Sequence, residues 1–455
     1  MENREQFSST IGVIAATAGS AIGLGNIWRF PYVTGENGGA AFLLIYVLLM
    51  LAIGVPVMLS EMIIGRKSQS NAIGSFKNLV PKSYWWLIGL MGIFASFVIL
   101  AFYSTVAGWT LHYVYSSLSH NLLGQNYETF FLDFKDSQLM PVVWHVVFMV
   151  LTAFIVLAGV KKGIEKYTKL LMPLLFLLII VLCVRSITLP GASKGLEFLF
   201  RPDFSKINAN AILAALGQAF FSLSIGMGTV ITYGSYIRKK ENLGKISLSV
   251  TAADFLLALL AGIMIFPAVF AFGIEPSSGP GLVFMTIPSI FEQIPFGNVF
   301  SIIFFLLLAI AALTSSISLL EVVVAYAVEE LKLKRKWATL ISSVLITIIG
   351  LFCTLSWSTF KKFNINVGTE SEMGETKVMY FFDMMDFLAS NILLPLGGML
   401  IVIFVGWKLG KQKSIMELSN ENTIKSRFFS IVFFIVKYIA PIAIAFVFLR
   451  GINVI

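Results

Sequence analysis

Charged residues are scarce in this chain of 455 residues, because Asp, Glu, Lys and Arg together make up only 13% of it. A soluble protein of this length carries about a quarter charged residues, so the composition excludes a soluble globular domain. Cysteine is nearly absent too. The two cysteines present, Cys183 and Cys353, lie inside apolar runs, which indicates buried thiols rather than a disulfide framework.

Catalytic and nucleotide-binding signatures are also missing. The apolar segments contain no H-E-x-x-H, no G-x-S-x-G and no paired carboxylates, and no G-x-x-x-x-G-K-[ST] occurs in the chain. The three histidines, His112, His120 and His145, stand near the ends of apolar runs, where solvated or interfacial roles are commoner than metal ligation. We therefore expect no enzyme and no catalytic residues.

Long apolar runs are what the chain does have: 57% of its residues are hydrophobic, and its mean hydropathy is +0.87. A helix needs roughly 20 apolar residues to cross a bilayer. Eleven runs reach that length, at residues 11–35, 40–64, 86–118, 141–160, 168–188, 210–237, 244–273, 297–331, 337–356, 380–408 and 426–449. This pattern predicts an all-α polytopic membrane protein with eleven transmembrane helices in a lipid bilayer.

Basic residues lie in alternate connections between these runs. The net charge is +9, and the Lys and Arg residues cluster at 66–82, 161–169, 238–245, 332–336 and 408–427, with no basic tail that would bind nucleic acid. Because cytoplasmic loops carry the excess of Lys and Arg, the N-terminus is predicted in the cytoplasm and, with an odd number of spans, the C-terminus outside. The first run lacks a cleavage site and is expected to be retained.

The first apolar run carries polar groups at bilayer depth. Its stretch from Gly19 to Pro31 holds three glycines together with Asn26 and Arg29. The spacing Gly19-x-x-x-Gly23 also fits close helix packing, but packing does not require an amide and a guanidinium one turn apart. A helix that is interrupted to bind an ion and an anionic group does require them. We therefore interpret this run as a broken helix that forms a binding site.

The sixth run is interrupted in a similar way. Serines and glycines occur between Phe220 and Gly228 amid apolar sequence, and close helix packing is again the alternative. Paired interruptions in corresponding spans indicate a transporter site near the midplane, so we expect a 5+5 inverted repeat with broken helices 1 and 6. The predicted division is a cytoplasmic segment 1–10, a first repeat 11–188, an extracellular connection 189–209, a second repeat 210–408, a cytoplasmic loop 409–425, and an eleventh span with an extracellular C-terminus at 426–455.

Three motifs in this order resemble a known family. The segment Gly19–Pro31 followed by Glu36-Asn37-Gly38-Gly39, the segment Gly217–Gly228 and the segment Ala311–Ser316 are together similar to the sodium-coupled neurotransmitter transporters, above all to the bacterial amino-acid symporters with the leucine-transporter fold. The resemblance extends from Arg4 to about Trp407, and eleven spans depart from the twelve of many members. It implies sodium-coupled import of an amino acid across the bacterial cytoplasmic (inner) membrane by alternating access, with spans 1, 2, 6 and 7 moving against spans 3, 4, 8 and 9.

The resemblance also implies a substrate site. N–H groups of Leu24 and Gly25 and the hydroxyl of Tyr103 would bind the substrate carboxylate, at the positive end of an outer half-helix. For Tyr103 the alternative is an interfacial anchor. The full expected set is Ala21, Leu24, Gly25, Ile99, Tyr103, Phe221, Ser222, Ser224, Met227, Ser316 and Leu319, in which carbonyls and the Ser224 hydroxyl would bind the ammonium. Because the side-chain wall is apolar and uncharged, an aromatic or large aliphatic L-amino acid is expected.

Two sodium sites are implied in the same way, since hard cations prefer oxygen ligands. The first comprises Ala21, Asn26, Ser222 and Asp254 with the substrate carboxylate, and the second comprises Gly19, Ile22, Ala311, Thr314 and Ser315. Chloride-dependent members have neutral residues in the stretch where this chain has Asp254, so chloride is not expected to be required. The alternative is that Asp254 caps the cytoplasmic start of its span.

Gates are the last feature that the resemblance implies. An outer ion pair and its neighbours are expected to lie above an aromatic lid of Tyr103 and Phe221, and an inner ion pair is expected to close the cytoplasmic side. The outer gate comprises Arg29, Asp386, Gln218 and Asp383, and the inner gate comprises Arg4, Glu329, Phe7 and Tyr236. Exposed ion pairs often contribute almost no stability, so a mere surface contact is the alternative for Arg4 and Glu329.

Two alternative functions stay open from the sequence. Asp254 could couple transport to protons instead of sodium, or the chain could be a transporter-like receptor that binds an amino acid without moving it. The oligomeric state cannot be inferred from a single sequence.

Overall fold

A computed structural model of the protein describes residues 5–273, 281–370, 376–421, 423–424, 428–452 and 454. Nearly all regular structure in these ranges is helical. The helices are α1 Thr10–Ala21, α2 Gly25–Glu36, α3 Ala40–Ser68, α4 Ala72–Leu79, α5 Trp86–Leu118, α6 Tyr127–Asp136, α7 Met140–Leu157, α8 Val160–Ile187, α9 Ala192–Phe200, α10 Ala209–Ser222, α11 Thr229–Ser235, α12 Leu243–Ala271, α13 Val283–Glu292, α14 Gly297–Glu329, α15 Arg335–Thr354, α16 Phe381–Leu409, α17 Lys411–Leu418 and α18 Phe428–Gly451. Strands β1 Asn364–Glu370 and β2 Thr376–Tyr380 form an antiparallel hairpin.

Nine of the described helices are long and apolar enough to cross a membrane, namely α3, α5, α7, α8, α12, α14, α15, α16 and α18. Helices α1 and α2 together form a tenth, bent span. Helices α10 and α11 divide the sixth predicted span into two short pieces. The described chain therefore confirms the predicted helical membrane architecture with breaks in the first and sixth spans.

The first span breaks between α1 and α2, whose axes differ by 54°. Helix α1 begins at an N-cap, where Ser9 Oγ accepts the N–H of Gly12 at 3.1 Å. At the break, the N–H of Gly23 donates to Asn26 Oδ1 at 3.2 Å. A Cβ at Gly23 would lie 2.6 Å from Ser315 Oγ, so a side chain here would displace the Ser315 hydroxyl where the first span approaches α14.

The sixth span breaks between α10 and α11. Gly226 and Gly228 have φ angles of 85° and 76°, and Ser224 has a φ of 55°. These left-handed conformations end the helix and favour glycine. The freed N–H of Gly226 donates to Glu61 Oε1 of α3 at 2.7 Å, so a buried carboxylate from a neighbouring span satisfies the opened backbone.

Helices α5 and α14, each of 33 residues, form the central pair of the bundle and are the most buried of the long spans. Helix α1 packs on α12 and α14, and α11 packs on α3. A Cβ at Gly65 of α3 would lie 2.0 Å from the Ile231 carbonyl oxygen of α11, so these two backbones nearly touch. Both broken spans thus lie in the middle of the bundle.

The connections lie on two faces, which we name by their contents. The N-terminal face carries the N-terminus, α4 and α17, and there Arg66 pairs with Glu417 at 2.7 Å. The vestibule face carries α6, α9, α13 and the hairpin, in which Asn364 pairs with Tyr380. Alternation over so short a segment is a weak signal for strands, so the hairpin is not evident from the sequence.

Candidate functional site

A narrow cavity of about 30 Å³ lies between the two broken spans and the central pair. Its lining residues are Ser20, Ala21, Gly23, Gly25, Asn26, Ile99, Tyr103, Phe221, Ser222, Ser224, Met227, Ser315 and Leu319, none of which is charged. Every predicted substrate residue lines this cavity except Leu24 and Ser316. Ser316 Oγ is buried and has no hydrogen-bond partner within the described ranges.

One end of the cavity is formed by the opened backbone of the first span. The N–H of Leu24 donates to the hydroxyl oxygen of Tyr103 at 3.0 Å, so Tyr103 faces the break and not the membrane interface. On the other side of the break, Ser224 Oγ donates to the carbonyl of Ser20 at 2.8 Å. A hydroxyl beside N–H groups at the start of α2 suits an anionic group, whereas the free carbonyls suit a cationic one.

Asp254 lies at the junction of the two breaks, and its side chain is fully buried. Its Oδ1 accepts from Asn26 Nδ2 at 2.7 Å, and its Oδ2 accepts from Ser222 Oγ at 2.7 Å. The hydroxyl of Tyr46 lies 3.5 Å from Oδ2. The start of α12 is capped by Asn242, which accepts from the N–H of Lys245, so Asp254 is not the capping residue of its helix.

The predicted second ion site joins α1 to α14. Ser315 Oγ lies 3.3 Å from the Gly19 carbonyl oxygen and 3.2 Å from that of Ile22. Thr314 Oγ1 lies 3.5 Å from the Ile22 carbonyl oxygen and 3.0 Å from that of Ala311. All five predicted residues therefore contribute oxygens to one small volume, and Ser20 adds another carbonyl 3.3 Å from Ser315 Oγ.

Both oxygen sets fit a small, hard cation such as sodium, which prefers carbonyl, hydroxyl and carboxylate ligands. The first set also includes a carboxylate. Among the described residues, the Asp254 carboxylate contacts only neutral amide and hydroxyl groups, and no Lys or Arg lies within 4.0 Å of it. A buried charge without a counter-charge is costly, so a bound cation would stabilise this carboxylate.

A larger cavity of about 440 Å³ lies between the substrate cavity and the vestibule face. Gly25, Tyr103 and Phe221 line both cavities and mark the passage between them. The other lining residues are Leu24, Trp28, Arg29, Tyr32, Phe102, Val106, Trp109, Phe131, Lys135, Trp357, Phe382, Asp383 and Asp386. This vestibule gives the substrate cavity a route to one side of the membrane.

Arg29 and Asp386, the predicted outer ion pair, line the vestibule together. In the described part of the chain, however, no ion pair within 4.0 Å joins them. The Arg29 guanidinium instead lies 4.9 Å from the centre of the Phe221 ring, which is a cation–π arrangement. Asp386 Oδ1 accepts from Ser390 Oγ at 2.9 Å.

The two residues predicted to assist the outer pair have their own contacts. Gln218 Nε2 lies 3.5 Å from the carbonyl oxygen of Gly25, beside the break in the first span. Asp383 Oδ2 accepts the N–H of Tyr380 at 2.9 Å and thereby caps α16. Gln218 thus lies near the passage, while Asp383 has a capping role at the wall of the vestibule.

The N-terminal face is closed beneath the substrate cavity. Phe7 is 1% exposed and packs edge-on against Tyr233 and Tyr236 at centroid distances of 5.7 and 6.0 Å. Tyr236 donates to Glu321 Oε1 at 2.7 Å, and Glu321 pairs with Arg335 at 2.6 Å. Phe7 and Tyr236 therefore lie together, as predicted for the inner gate.

The predicted inner ion pair can be located only in part. Arg4 lies outside the described residues. Glu329 Oε2 accepts from the N–H of Asn71 at 2.8 Å and from its side-chain amide at 3.0 Å, so this carboxylate is at the N-terminal face.

Sequence reasoning missed several residues at the site. Tyr46 contacts Asp254, Glu61 satisfies the backbone of the sixth span, and Ser20 contributes a carbonyl to both the cavity and the second ion site. Glu61 was detectable as a carboxylate within an apolar run. Tyr46 had no such signal, since a tyrosine in an apolar run is usually an interfacial anchor.

These features define a class of protein. Membrane-spanning helices, two of them interrupted around a cavity with oxygen-rich ion sites, are the architecture of secondary transporters. The chain belongs to the sodium:neurotransmitter symporter family, whose family model matches residues 4–131 and 127–455. It is therefore a sodium-dependent, multi-pass membrane transporter and not an enzyme.

Individual relatives support the same assignment. The uncharacterized sodium-dependent transporter YhdH of Bacillus subtilis is 41% identical over 452 residues, which cover 99% of this chain and 98% of YhdH. An uncharacterized sodium-dependent transporter of Haemophilus influenzae is 36% identical over 465 residues, with coverage of 99% and 98%. The crystal structure of MhsT in complex with L-phenylalanine is similar with a TM-score of 0.89 and 46% identity, covering 99% of this chain and 100% of that one. The leucine-transporter fold implied by the motifs is thereby confirmed.

Proposed function

We propose that the protein is a symporter that uses inward sodium movement to accumulate a hydrophobic L-amino acid, aromatic or large aliphatic, without a requirement for chloride. The observation that carries this proposal is the position of Asp254. It is a buried carboxylate, bonded only to neutral groups among the described residues, beside a cavity with no charged lining residue. Such a site requires a cation of its own and offers a substrate side chain only apolar surface.

The substrate's side chain would lie against the apolar part of the cavity. Ile99, Met227 and Leu319 contribute aliphatic and thioether surface, and Tyr103 and Phe221 contribute rings. A charged side chain would find no counter-charge there. The flexible thioether of Met227 suits ligands of several shapes. MhsT, whose structure contains L-phenylalanine, agrees with a substrate of this class.

The amino and carboxyl groups of the substrate would meet the opened backbone. The N–H groups of Leu24 and Gly25 and the Tyr103 hydroxyl would hold the carboxylate, which then becomes a ligand of the first sodium ion. The other ligands of that ion are the Ala21 carbonyl, Asn26, Ser222 and Asp254. Because ion and substrate would touch, each would strengthen the binding of the other, which is the reciprocity that coupled transport requires.

The second sodium ion would lie between α1 and α14. Its ligands would be the carbonyls of Gly19, Ile22 and Ala311 and the hydroxyls of Thr314 and Ser315. Because it bridges a broken span to the central pair, its release would free α1 to move relative to α14. This site therefore couples ion binding to the conformation of the bundle.

Alternating access would proceed from the arrangement described above, with a wide vestibule on one face and Phe7 packed on the other. We assign the N-terminal face to the cytoplasm of a bacterial cell, since basic residues concentrate there. The pair Arg29 and Asp386 would form when the vestibule closes over the substrate. Arg4 and Glu329 would separate when the cytoplasmic side opens.

The test is uptake of a panel of labelled L-amino acids into proteoliposomes with an imposed sodium gradient. Sodium is replaced by choline, and chloride by gluconate, in parallel samples. Sodium-dependent and chloride-independent uptake of aromatic or large aliphatic amino acids supports the proposal. Uptake that persists in choline with a proton gradient would establish proton coupling instead. Binding without uptake would establish a receptor, and a loss of uptake in gluconate would contradict the role given to Asp254.

A further inference from the structure

The turn between α10 and α11 is attached to α5 by a buried serine. Ser96 of α5 is completely buried, and its Oγ donates to the carbonyl oxygen of Met227 at 2.5 Å. Met227 lines the substrate cavity, whereas Ser96 does not. A residue outside the cavity therefore holds the backbone of a residue that forms its wall.

Ser96 lies on the face of α5 that borders the cavity. Ile99 and Tyr103 line the cavity three and seven residues further along the same helix, and residues at these spacings share one helix face. Gly92, four residues before Ser96, continues this face, and a Cβ there would lie 3.1 Å from the backbone nitrogen of Gly228. The turn thus packs closely on α5 just beneath the cavity.

Other contacts fix the turn on its remaining sides. The N–H of Gly226 donates to Glu61 Oε1 of α3 at 2.7 Å. A Cβ at Gly226 would lie 2.4 Å from the carbonyl oxygen of Leu394, so α16 also lies directly against the turn. Thr229 Oγ1 donates to the carbonyl oxygen of Ser224 at 3.1 Å and closes the turn. These contacts hold both ends of the turn and leave its middle, at Met227, to Ser96.

The carbonyl group of Met227 depends on this serine. Within the described part of the chain, no other hydrogen bond reaches its oxygen. Met227 is only 5% exposed, so its backbone is shielded from water. A buried carbonyl that loses its partner is costly, and the backbone at Met227 would shift without the serine hydroxyl.

We propose that Ser96 is a positioning residue that determines which amino acids the cavity accepts, because it fixes the backbone at Met227. This inference rests on the proposed transport of a hydrophobic amino acid. The cavity measures only about 30 Å³, so a bound side chain must displace part of its wall. With the backbone fixed, only the thioether of Met227 can yield. Fixed apolar walls discriminate between side chains that differ by single methylene groups, and walls that yield discriminate less.

The test is uptake of valine, leucine, phenylalanine and tryptophan into proteoliposomes, with kcat/KM measured for each. We expect the wild type to discriminate among the four. In Ser96→Ala the ratio of kcat/KM between the best and the worst substrate should fall by roughly tenfold, because one hydrogen bond is worth about one such factor. The sodium concentration for half-maximal uptake should not change, since Ser96 contributes no oxygen to either ion set.

Two further variants complete the test. Ser104→Ala is the matched control, because Ser104 is a completely buried serine of the same helix whose Oγ donates to the carbonyl oxygen of Ala101 at 3.1 Å. It should leave the ratio at its wild-type value. Gly92→Ala acts on the same turn without removing a hydrogen bond. Its added Cβ must displace the backbone at Gly228, so we expect a reduced ratio here too.

The outcomes separate this inference from the function on which it rests. An unchanged ratio in Ser96→Ala, an equal change in Ser104→Ala, or a parallel change in the sodium dependence of Ser96→Ala would overturn the role of Ser96 and leave the symporter intact. A wild type that transports all four amino acids equally well would do the same. A wild type that takes up none of them would contradict the proposed function, and with it the role of Ser96.

Discussion

Asn26 of the broken first span donates a 2.7 Å hydrogen bond to Asp254 of α12, and both side chains are buried. Ser222, the last residue of α10, donates to the same carboxylate. One acidic group thus connects both broken spans to a third span. A cation at this point would act on the conformation of all three, which is why the charge of Asp254 is central to the proposed coupling.

Replacing Asp254 by Asn keeps the shape of the side chain and removes its charge. We expect sodium-driven uptake to fall by at least about tenfold, because the cation loses its buried counter-charge. The measurement is the initial rate of uptake into proteoliposomes over a series of sodium concentrations. Asp136→Asn removes an exposed carboxylate from α6 and should leave the rate unchanged. Wild-type sodium dependence in Asp254→Asn would show that the first ion site is elsewhere.

Ser315→Ala removes a hydroxyl that lies within 3.3 Å of three carbonyl oxygens in the second ion site. We expect the sodium concentration for half-maximal substrate binding to rise by roughly tenfold, since one ligand of the ion is lost. Scintillation proximity binding at a series of sodium concentrations measures it. Ser301 lies in the same helix as Ser315, α14, and its buried hydroxyl contacts Ser117 of α5, so Ser301→Ala is the matched control. A similar shift in both variants would indicate a general loss of packing.

The candidate ion and substrate residues can be selected from the sequence because polar groups at bilayer depth are conspicuous. Asn26, Ser222 and Asp254 stand in apolar runs, where each is costly unless it has a partner. The structure brings these three within hydrogen-bond distance of one another. Glycines likewise mark both breaks. Gly226 and Gly228 adopt left-handed φ values in the sixth span, and Gly23 allows the close approach of the first span to Ser315.

Other features depend on the conformation and cannot be read from residue types. The pairing of Arg29 with Asp386 is one such feature. A sequence does not specify which conformation of the transport cycle is observed, and in the described conformation Arg29 lies over Phe221. The capping role of Asp383 is another, since it depends on where α16 begins. The carbonyl of Ser20 is a third, because every residue has a backbone carbonyl and the residue type does not show which carbonyls line a site.

Tyr103→Phe tests the carboxylate end of the substrate cavity. The Tyr103 hydroxyl lies 3.0 Å from the Leu24 nitrogen, and without it we expect the apparent KM for the amino acid to rise about tenfold, because a hydrogen bond to a charged group is lost. Uptake kinetics measure the change. Tyr115→Phe, on the same helix and exposed, is the matched control. An unchanged KM in Tyr103→Phe would place the carboxylate elsewhere.

The N-terminal face gives a prediction about stability and pH. Glu417 of α17 lies 2.7 Å from Arg66 and 3.1 Å from Lys239. Burial raises the pKa of the Glu417 carboxyl, but the two cations outweigh burial and hold the pKa below its usual value of 4.5. Because the folded protein favours the charged form, the stabilisation is fully present above pH 4.5 and is lost as the pH falls through the depressed pKa.

Glu417→Gln should therefore lower the thermal unfolding temperature at about pH 7, where the wild-type ion pairs are intact, and the difference should shrink when both proteins are measured at about pH 3.5. A thermal shift series in detergent across this range is the measurement. Glu421→Gln, which removes an exposed carboxylate just beyond α17, controls for the change in net charge. A difference between Glu417→Gln and the wild type that does not vary with pH would mean that α17 is held by packing and backbone contacts alone, and that the charge of Glu417 contributes nothing to its attachment.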